Sequence, residues 1–474
     1  MLGAMAFASD EVGNYPKVGV GLAGFGSVGA GVYKHLQRNR RLLAERLGIE
    51  LTVRRIVVRD ASKKREPQPP RELFVSHWRE LIADPEVQIV VELIGGVEEA
   101  FALVTDALRA GKIVVTANKA LLAEHGQEIF KLAESKGVPV LFEAAVAGGI
   151  PIIKAVQEGF IGNRIESAHG IINGTCNYIL TRMANERGLT YQAALAEASA
   201  LGYAEADPTL DVSGWDAAHK AIILASLAYG FWVPPGDVYV HGIQGITAED
   251  FVHAKRLGYN IKLLAILKAH ADGAVEVRVH PTMIPHDHLL AEVDGVFNGI
   301  LLWGDVVGET LFYGRGAGQD ATSSAVLSDL AQAATDLIRD NEPNRFRPHG
   351  LYGRCLPIEQ IRSEYYLRLS VKDQPGVLAG VAGILANRQI GISSVLQPPP
   401  MYPSNIPNPT ASPEDLPALP AADSTGTHQH VDLILMLHFA THRQITEALE
   451  EISRLPYVSS DPKPALIHVE HLPE

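Results

Sequence analysis

Five short runs dominated by apolar residues punctuate the first 150 positions: 17–23 (KVGVGLA), 51–58 (LTVRRIVV), 88–93 (QIVVEL), 112–116 (KIVVT) and 138–143 (VPVLFE). Runs of this length without strict alternation predict strands buried on both faces, and the helical stretches between and after them predict parallel crossovers. The expectation over 1–150 is a doubly wound α/β domain of the Rossmann type. One amphipathic helix is expected from Ser27 through Leu36 toward Leu43. Between 238 and 308, apolar runs such as 274–279 alternate with turns, which predicts a second sheet within an α+β region spanning 151–340. A polar linker, 341–362, follows. Strands are then expected at 365–371 (YYLRLSV), 390–396, 431–437 and 465–470, with helices from the 373–378 turn to about 388 and over 441–454. The order is βαββαβ across 363–474. Within it, 398–430 carries nine prolines. This connection is far longer than a hairpin loop of ~2–5 residues and reads as a disordered or polyproline-like insertion.

At 474 residues the chain is too long for one ordinary core, so two or three domains are expected. An apolar fraction of 47% with 20% charged residues is that of a soluble globular protein. The net charge of −13, with no compensating basic stripe, argues against nucleic acid and anionic membranes as partners. Two cysteines, Cys176 and Cys355, do not make a disulfide framework and fit a reducing compartment. The apolar opening MLGAMAFAS has no Lys or Arg before it, which argues against a signal peptide. The run 221–233 is interrupted by Ser226 and Gly230 and falls short of the ~18 residues that span a membrane. A cytoplasmic protein is expected.

Chemistry first enters where strands end. Gly24-Phe25-Gly26-Ser27-Val28-Gly29 follows the first strand directly and opens a helix, the context in which G-x-G-x-x-G signals a dinucleotide site. Gly24 permits the tight turn, Gly26 lets the backbone approach a pyrophosphate, and Gly29 lets the helix pack on the strand. Past the second strand, Arg59-Asp60 and then Lys63, Lys64 and Arg65 supply both an acid suited to the ribose 2′-hydroxyl of NAD and bases suited to the 2′-phosphate of NADP. The cofactor choice leans to NADP, and a solvated basic loop is the alternative. Ile94-Gly95-Gly96 and Thr116-Ala117-Asn118-Lys119 close two further strands at their carboxyl ends, where open α/β sheets bind ligands.

The densest stretch is 198–220, ASALGYAEADPTLDVSGWDAAHK. A helix re-enters near Gly214 and sets Asp216 and Lys220 four apart on one face. Ala217, Ala221, Ile222 and Leu224 continue its apolar side. A lysine at the edge of a buried helix is a candidate proton-transfer group, because partial desolvation favours its neutral form. The alternative is a surface pair worth only about 0.3–0.5 kcal/mol. Asp207 and Asp211 read as turn and cap residues.

The pattern A-x-x-x-G-Y-A-x-x-D-P-x-x-D-V-x-G-x-D-x-x-x-K resembles the signature of homoserine dehydrogenases, and the resemblance extends over the chain from Lys17 onward apart from the proline-rich insertion. It implies reversible NAD(P)-dependent reduction of aspartate 4-semialdehyde to homoserine, in threonine, methionine and isoleucine biosynthesis. Lys220 would be the proton donor and acceptor, and Lys119 the second amine at the same centre, depressing its neighbour's pKa. Asp216 would fix both substrate and Lys220. Glu205 would bind the substrate ammonium, with Tyr203 of the G-Y-A segment and Thr175 of Asn173-Gly174-Thr175 also on the substrate. Ile94, Gly95, Thr116, Lys119 and Gly318, the last in a segment returning to the first domain at 315–340, would line the cofactor with the glycine turn. The loop 144–151 (AAVAGGIP) would wrap a sodium or potassium ion through the main chain of Glu143, Val146, Gly148 and Ile150; a glycine-rich hinge is the alternative. The D-x-P-G-V-L turn and βαββαβ order resemble an ACT domain, implying regulation by threonine, with a pure dimerisation module as the alternative. A homodimer or homotetramer is expected. Two rivals remain: a phosphate-dependent aldehyde-oxidising dehydrogenase with Cys176 as nucleophile, and a non-catalytic amino-acid sensor.

Overall fold

The computed structural model describes residues 13–60, 63–205, 207–339, 346, 348–397 and 430–472, so most of the proline-rich insertion and part of the linker lie outside the described residues. The chain divides into two compact units, one of Met1–Gln244, Lys262–His280 and Leu289–Leu356, the other of Gly245–Ile261, Pro281–His288 and Pro357–Glu474.

In the first unit, strands β1 (Lys17–Ala23), β2 (Glu50–Val57), β3 (Phe74–Val75), β4 (Ile89–Glu92), β5 (Ile113–Thr116) and β6 (Val140–Leu141) form a parallel sheet in the order β3-β2-β1-β4-β5-β6. Strand order reverses between β1 and β4, which opens the crevice where such sheets take ligands. Val18, Val20, Leu22, Ile89, Val91, Ile113 and Val115 are buried in one cluster on one face, and Val90 and Val114 on the other are equally buried, as expected for strands covered on both faces.

Two expectations are corrected. The first helix is not continuous toward Leu43: it runs Ser27–Arg38, and Asn39, outside helical geometry, separates it from a second helix, Arg40–Leu47. The strand expected over 138–143 pairs only at Val140–Leu141. Pro139 has no N–H for the ladder, and Glu143 turns into a short 3-10 segment where its carboxylate accepts the backbone N–H groups of Ile153 and Lys154 at 2.9 and 3.0 Å.

The sheet is completed by a distant segment. The helix Gln319–Arg339 packs along Ser27–Arg38, with Gln319 donating to the Ser27 carbonyl at 2.8 Å and Ser323 to that of Val28 at 3.3 Å. Its Ala325, Val326, Leu330, Ala333 and Ala334 belong to the same core cluster as β1. The unit also holds a mixed sheet of β7 (Ile165–Ile171), β9 (Tyr259–Ala269) from Lys262 on, β10 (Ala274–Pro285) as far as His280, β11 (Phe297–Gly304) and β12 (Gly308–Arg315), ordered β12-β11-β7-β9-β10, with β8 (Tyr239–Val240) and β13 (Arg354–Cys355) also along β10.

In the second unit β14 (Arg362–Lys372), β15 (Ile392–Leu396), β16 (His430–Thr441) and β17 (Ala465–Val469) are ordered β17-β14-β16-β15 and antiparallel throughout. The helices Val377–Asn387 and His442–Ile452 supply Val381, Leu385, Ile445, Ala448 and Ile452 to a core shared with Leu367, Leu369, Leu433 and Leu435. The other face carries a buried ion pair. Arg368 donates to Asp250 at 2.7 and 3.1 Å, and Asp250 also accepts the Tyr366 hydroxyl at 3.1 Å and the Thr247 N–H at 2.9 Å. Removing one member of such a pair strands the other without its counterion. Arg368→Met is therefore expected to destabilise this unit by about 3–5 kcal/mol and Arg368→Met/Asp250→Asn to recover part of the loss. A calorimetric midpoint unchanged in the single variant would contradict this.

Candidate active site

The glycine turn is built by close approach. Gly24 has φ +107°, and a Cβ there would stand 2.5 Å from the Leu93 carbonyl oxygen; a Cβ on Gly29 would stand 2.3 Å from that of Gly24. Gly26, the N-cap of the helix Ser27–Arg38, has nothing within 4 Å of its Cβ position. The helix has no acidic residue in its first turn. The first-turn N–H groups of a helix have no intrahelical partner, and with the helix dipole they form the donor set that a pyrophosphate requires. Phe25 is buried against Tyr33 and Phe74, and Val28 is partly buried on the same core. Arg59 is largely exposed and 3.3 Å from Glu99, and Lys63 is exposed.

At the ends of β4 and β5, which pair Glu92 directly with Thr116, two loops are tied together. The Glu92 carboxylate is fully buried and accepts N–H groups from Ile94 at 3.0 Å and Gly95 at 3.3 Å, and the Thr116 hydroxyl at 2.6 Å. Thr116 Oγ1 in turn accepts the Asn118 N–H at 3.0 Å, and Asn118 donates from Nδ2 to the Gly96 carbonyl at 2.6 Å. Asn118 Oδ1 caps the helix Lys119–Lys136 by accepting the Leu121 N–H at 3.1 Å.

Lys119 opens that helix and its ammonium lies 3.1 Å from Asp216 Oδ1. On the other oxygen, Lys220 Nζ donates to Asp216 Oδ2 at 2.6 Å and also to the Ile172 carbonyl at 2.8 Å. Asp216 and Lys220 are both 8% exposed, so the pair is not the surface pair that spacing alone allowed. Burial pushes the Asp216 carboxyl up, but the Lys220 and Lys119 ammonium groups outweigh it and hold the acid well below the usual carboxylate range. Asp216 likewise holds the Lys119 ammonium above its ordinary value, against burial. The two amines therefore meet through an intervening carboxylate rather than as bare like charges.

The cluster extends to residues that the sequence reading did not assign to the site. Asn173 Nδ2 lies 2.7 Å from both Asp216 Oδ2 and Asp211 Oδ1. Its Oδ1 accepts the Cys176 N–H at 2.7 Å, capping the helix Gly174–Asn185. Asp211 is thus no simple turn residue: burial and then Asp216 raise its pKa, and its side chain belongs to the polar cluster. Asp207 does cap locally, accepting the Thr209 N–H at 3.1 Å. The only signal for Asn173 and Asp211 was their membership of motifs that spacing could not fold together, and for Glu92 an acid ending an apolar buried strand.

Thr175, buried, donates to the Tyr203 carbonyl at 2.7 Å, while the Tyr203 ring is exposed and 5.0 Å from Tyr178. Glu205 is exposed, and its charge acts favourably on Lys119. Gly318, at φ +116°, precedes the helix Gln319–Arg339 with open space at its Cβ position. In the loop after β6, Glu143, Val146, Gly148 and Ile150 are buried, and Gly149 N–H donates to the Arg315 carbonyl at 2.9 Å. Among the described residues no group of three or more His, Cys, Asp or Glu could hold a metal, and no helix is long and apolar enough to cross a membrane.

Cys176 is fully buried, with Sγ donating to the Asp211 carbonyl at 3.1 Å. Burial, with Asp211 and Asp216 adding to it, pushes the thiol well above its ordinary pKa. A nucleophilic cysteine needs the opposite shift, so the aldehyde-oxidising alternative loses its reactive group.

Comparison with known proteins points to one family. The family profile described as "Homoserine dehydrogenase, NAD binding domain" matches residues 24–143, and "Homoserine dehydrogenase" matches 151–331. A homoserine dehydrogenase of Pseudomonas aeruginosa is 48% identical over 386 residues, 80% of this chain and 88% of that protein. A crystal structure of a homoserine dehydrogenase from Thiobacillus denitrificans superposes with a TM-score of 0.82 at 41% identity, covering 97% of this chain and 99% of the other. A hyperthermophilic archaeal homoserine dehydrogenase in complex with NADPH superposes with a TM-score of 0.58 at 28% identity, over 67% of this chain and 97% of its own. With a dinucleotide turn, a lysine–aspartate–lysine cluster built on the buried Asp216 and Lys220, and these relatives, the chain belongs to the homoserine dehydrogenase family of NAD(P)-dependent oxidoreductases.

Proposed function

We propose that the Lys119–Asp216–Lys220 cluster interconverts aspartate 4-semialdehyde and homoserine. The observation that carries the reading is one carboxylate gripped by two amines, one at the carboxyl end of the parallel sheet and one on the helix Trp215–Tyr229. Two amines converging on one carboxylate place N–H donors where the oxyanion that develops as a carbonyl is reduced can be stabilised. Lys220 donates a proton to the carbonyl oxygen and recovers it in reverse, while Lys119 and Asp216 orient the substrate. Glu205 binds the substrate ammonium, and Thr175 and Tyr203 complete the substrate pocket.

The nicotinamide dinucleotide supplies the hydride. Gly24, Phe25, Gly26, Ser27, Val28 and Gly29 would hold its pyrophosphate, and Ile94, Gly95, Thr116, Lys119 and Gly318 its nicotinamide end. Arg59 and Lys63, exposed beyond β2, favour the 2′-phosphate of NADP, and a relative of known structure is described with NADPH. A sodium or potassium ion would sit on main-chain carbonyls of Glu143, Val146, Gly148 and Ile150. A buried loop of small residues offers the hard oxygen donors such an ion takes.

The βαββαβ order of 363–474 supports an ACT-type regulatory domain responding to threonine, 1–150 closed by 315–340 a cofactor domain, and 151–340 a substrate and dimerisation domain. The enzyme would work in the cytoplasm as a homodimer or homotetramer.

Lys220→Gln keeps a hydrogen-bond donor for Asp216 but cannot give up a proton, so turnover should fall by about 10²–10⁴. Near-normal turnover with an unchanged pH profile would remove Lys220 from the proton step. Glu205→Ala should instead raise the homoserine KM with little change in kcat. Followed by nicotinamide absorbance with homoserine and no added phosphate, NADP should outpace NAD, and Arg59→Ala/Lys63→Ala should narrow the gap; equal rates in the unaltered enzyme would end the NADP assignment. Added threonine is expected to slow the reaction, and a rate indifferent to threonine would count against an ACT effector site.

A further inference from the structure

We infer that Glu92 is a positioning residue whose buried carboxylate locks the loops after β4 and β5 to one another and thereby sets Lys119 and the nicotinamide-facing backbone. The inference rests on the dinucleotide and Lys119 roles proposed above.

The rest of β4 is Ile-Val-Val, and an apolar residue at 92 would suit a buried parallel strand at no electrostatic cost. Burial instead raises the pKa of this acid, against the hydrogen bonds that favour its charged form. What the carboxylate adds is a linkage. Oε1 accepts two successive N–H groups from its own loop, at Ile94 and Gly95, and Oε2 accepts the hydroxyl of the cross-strand Thr116. The hydroxyl passes the constraint to Asn118 N–H, and the Asn118 amide returns it to the first loop at the Gly96 carbonyl. The circuit closes on both loops, and Lys119 follows Asn118 directly. Gly95 and Gly96 both have positive φ, +71° and +72°, so this turn has few internal restraints of its own. Glu92 is fully buried, so it acts through the groups that it holds.

Four variants test this in the full-length enzyme: Glu92→Gln, Thr116→Val, the two combined, and Thr116→Ser. Readouts are the thermal midpoint, NADPH affinity from reduced-nicotinamide fluorescence, and kcat and KM for homoserine. Glu92→Gln keeps size and one acceptor but leaves the Thr116 proton without its partner. It is expected to weaken NADPH binding and lower kcat, each by about tenfold, with the homoserine KM within about twofold. Thr116→Val should reproduce that split, the double variant should be no worse than either single one, and Thr116→Ser, which keeps the hydroxyl, should lose less than Thr116→Val. Should Glu92→Gln fail to fold, the contrast between Val and Ser at 116 decides. Unchanged NADPH affinity and kcat in Glu92→Gln, additive losses in the double variant, or equal losses with Ser and Val would each overturn the inference. Absence of homoserine turnover in the unaltered enzyme would instead overturn the proposed function, while NADPH fluorescence would still report on the loops.

Discussion

The active region depends on keeping Asp216 ionised while almost wholly out of water. A carboxylate in that position survives only if opposing charge and hydrogen bonds replace its lost hydration. Here Lys220 comes from the next turn of the same helix, Lys119 from the end of β5, and Asn173 from the cap of the helix Gly174–Asn185. Three separate segments of chain thus converge on two oxygen atoms. Each is anchored elsewhere: Lys220 to the Ile172 carbonyl, Asn173 to the Cys176 N–H, and Lys119 through the cap that Asn118 forms. The carboxylate is consequently both a charge in the site and the point at which the parallel sheet and the helical segments are tied together.

How legible this was depends on the sequence distance of the interaction. The glycine turn could be read because its parts are contiguous and its context, a strand before and a helix after, is local. Asp216 and Lys220 could be put on one face because helical periodicity fixes neighbours four apart. That their pair is buried could be inferred only from Ala217, Ala221 and Ile222 around it. By contrast, Asn173 looked like one letter of a motif and Asp211 like a turn residue, because no periodicity relates position 173 to 211 or 216. Their meeting is a product of tertiary packing. Glu92 was hidden differently: as the last residue of a strand it looked like an ordinary boundary, and its significance lies in the register that sets it opposite Thr116.

Where the expected elements moved, backbone chemistry explains the shift. Pro139 and the side-chain bonds of Glu143 shorten the sixth strand to two residues, and Asn39 splits the first helix. The nucleophile reading of Cys176 fails for a related reason. The sequence offers a cysteine directly after Asn173-Gly174-Thr175, but only the fold reveals a thiol sealed in the core, where burial and the neighbouring Asp211 and Asp216 outweigh Lys220.

The helix Gln319–Arg339 has a consequence for synthesis. Its apolar residues complete the core around β1, yet they lie some 300 positions downstream of the strand they cover. A chain emerging from the ribosome therefore makes its first six strands long before it makes their lid. Until about residue 334 is released, the helix Ser27–Arg38 lacks the partner that covers Gly31, whose Cβ position stands 2.4 Å from Ser323 Oγ in the finished fold. Contacts of such span are slow to form and leave apolar surface open in the interim. The part of this domain that is synthesised first is thus among the last to close, and the intervening segment must be tolerated as an insertion within an unfinished domain.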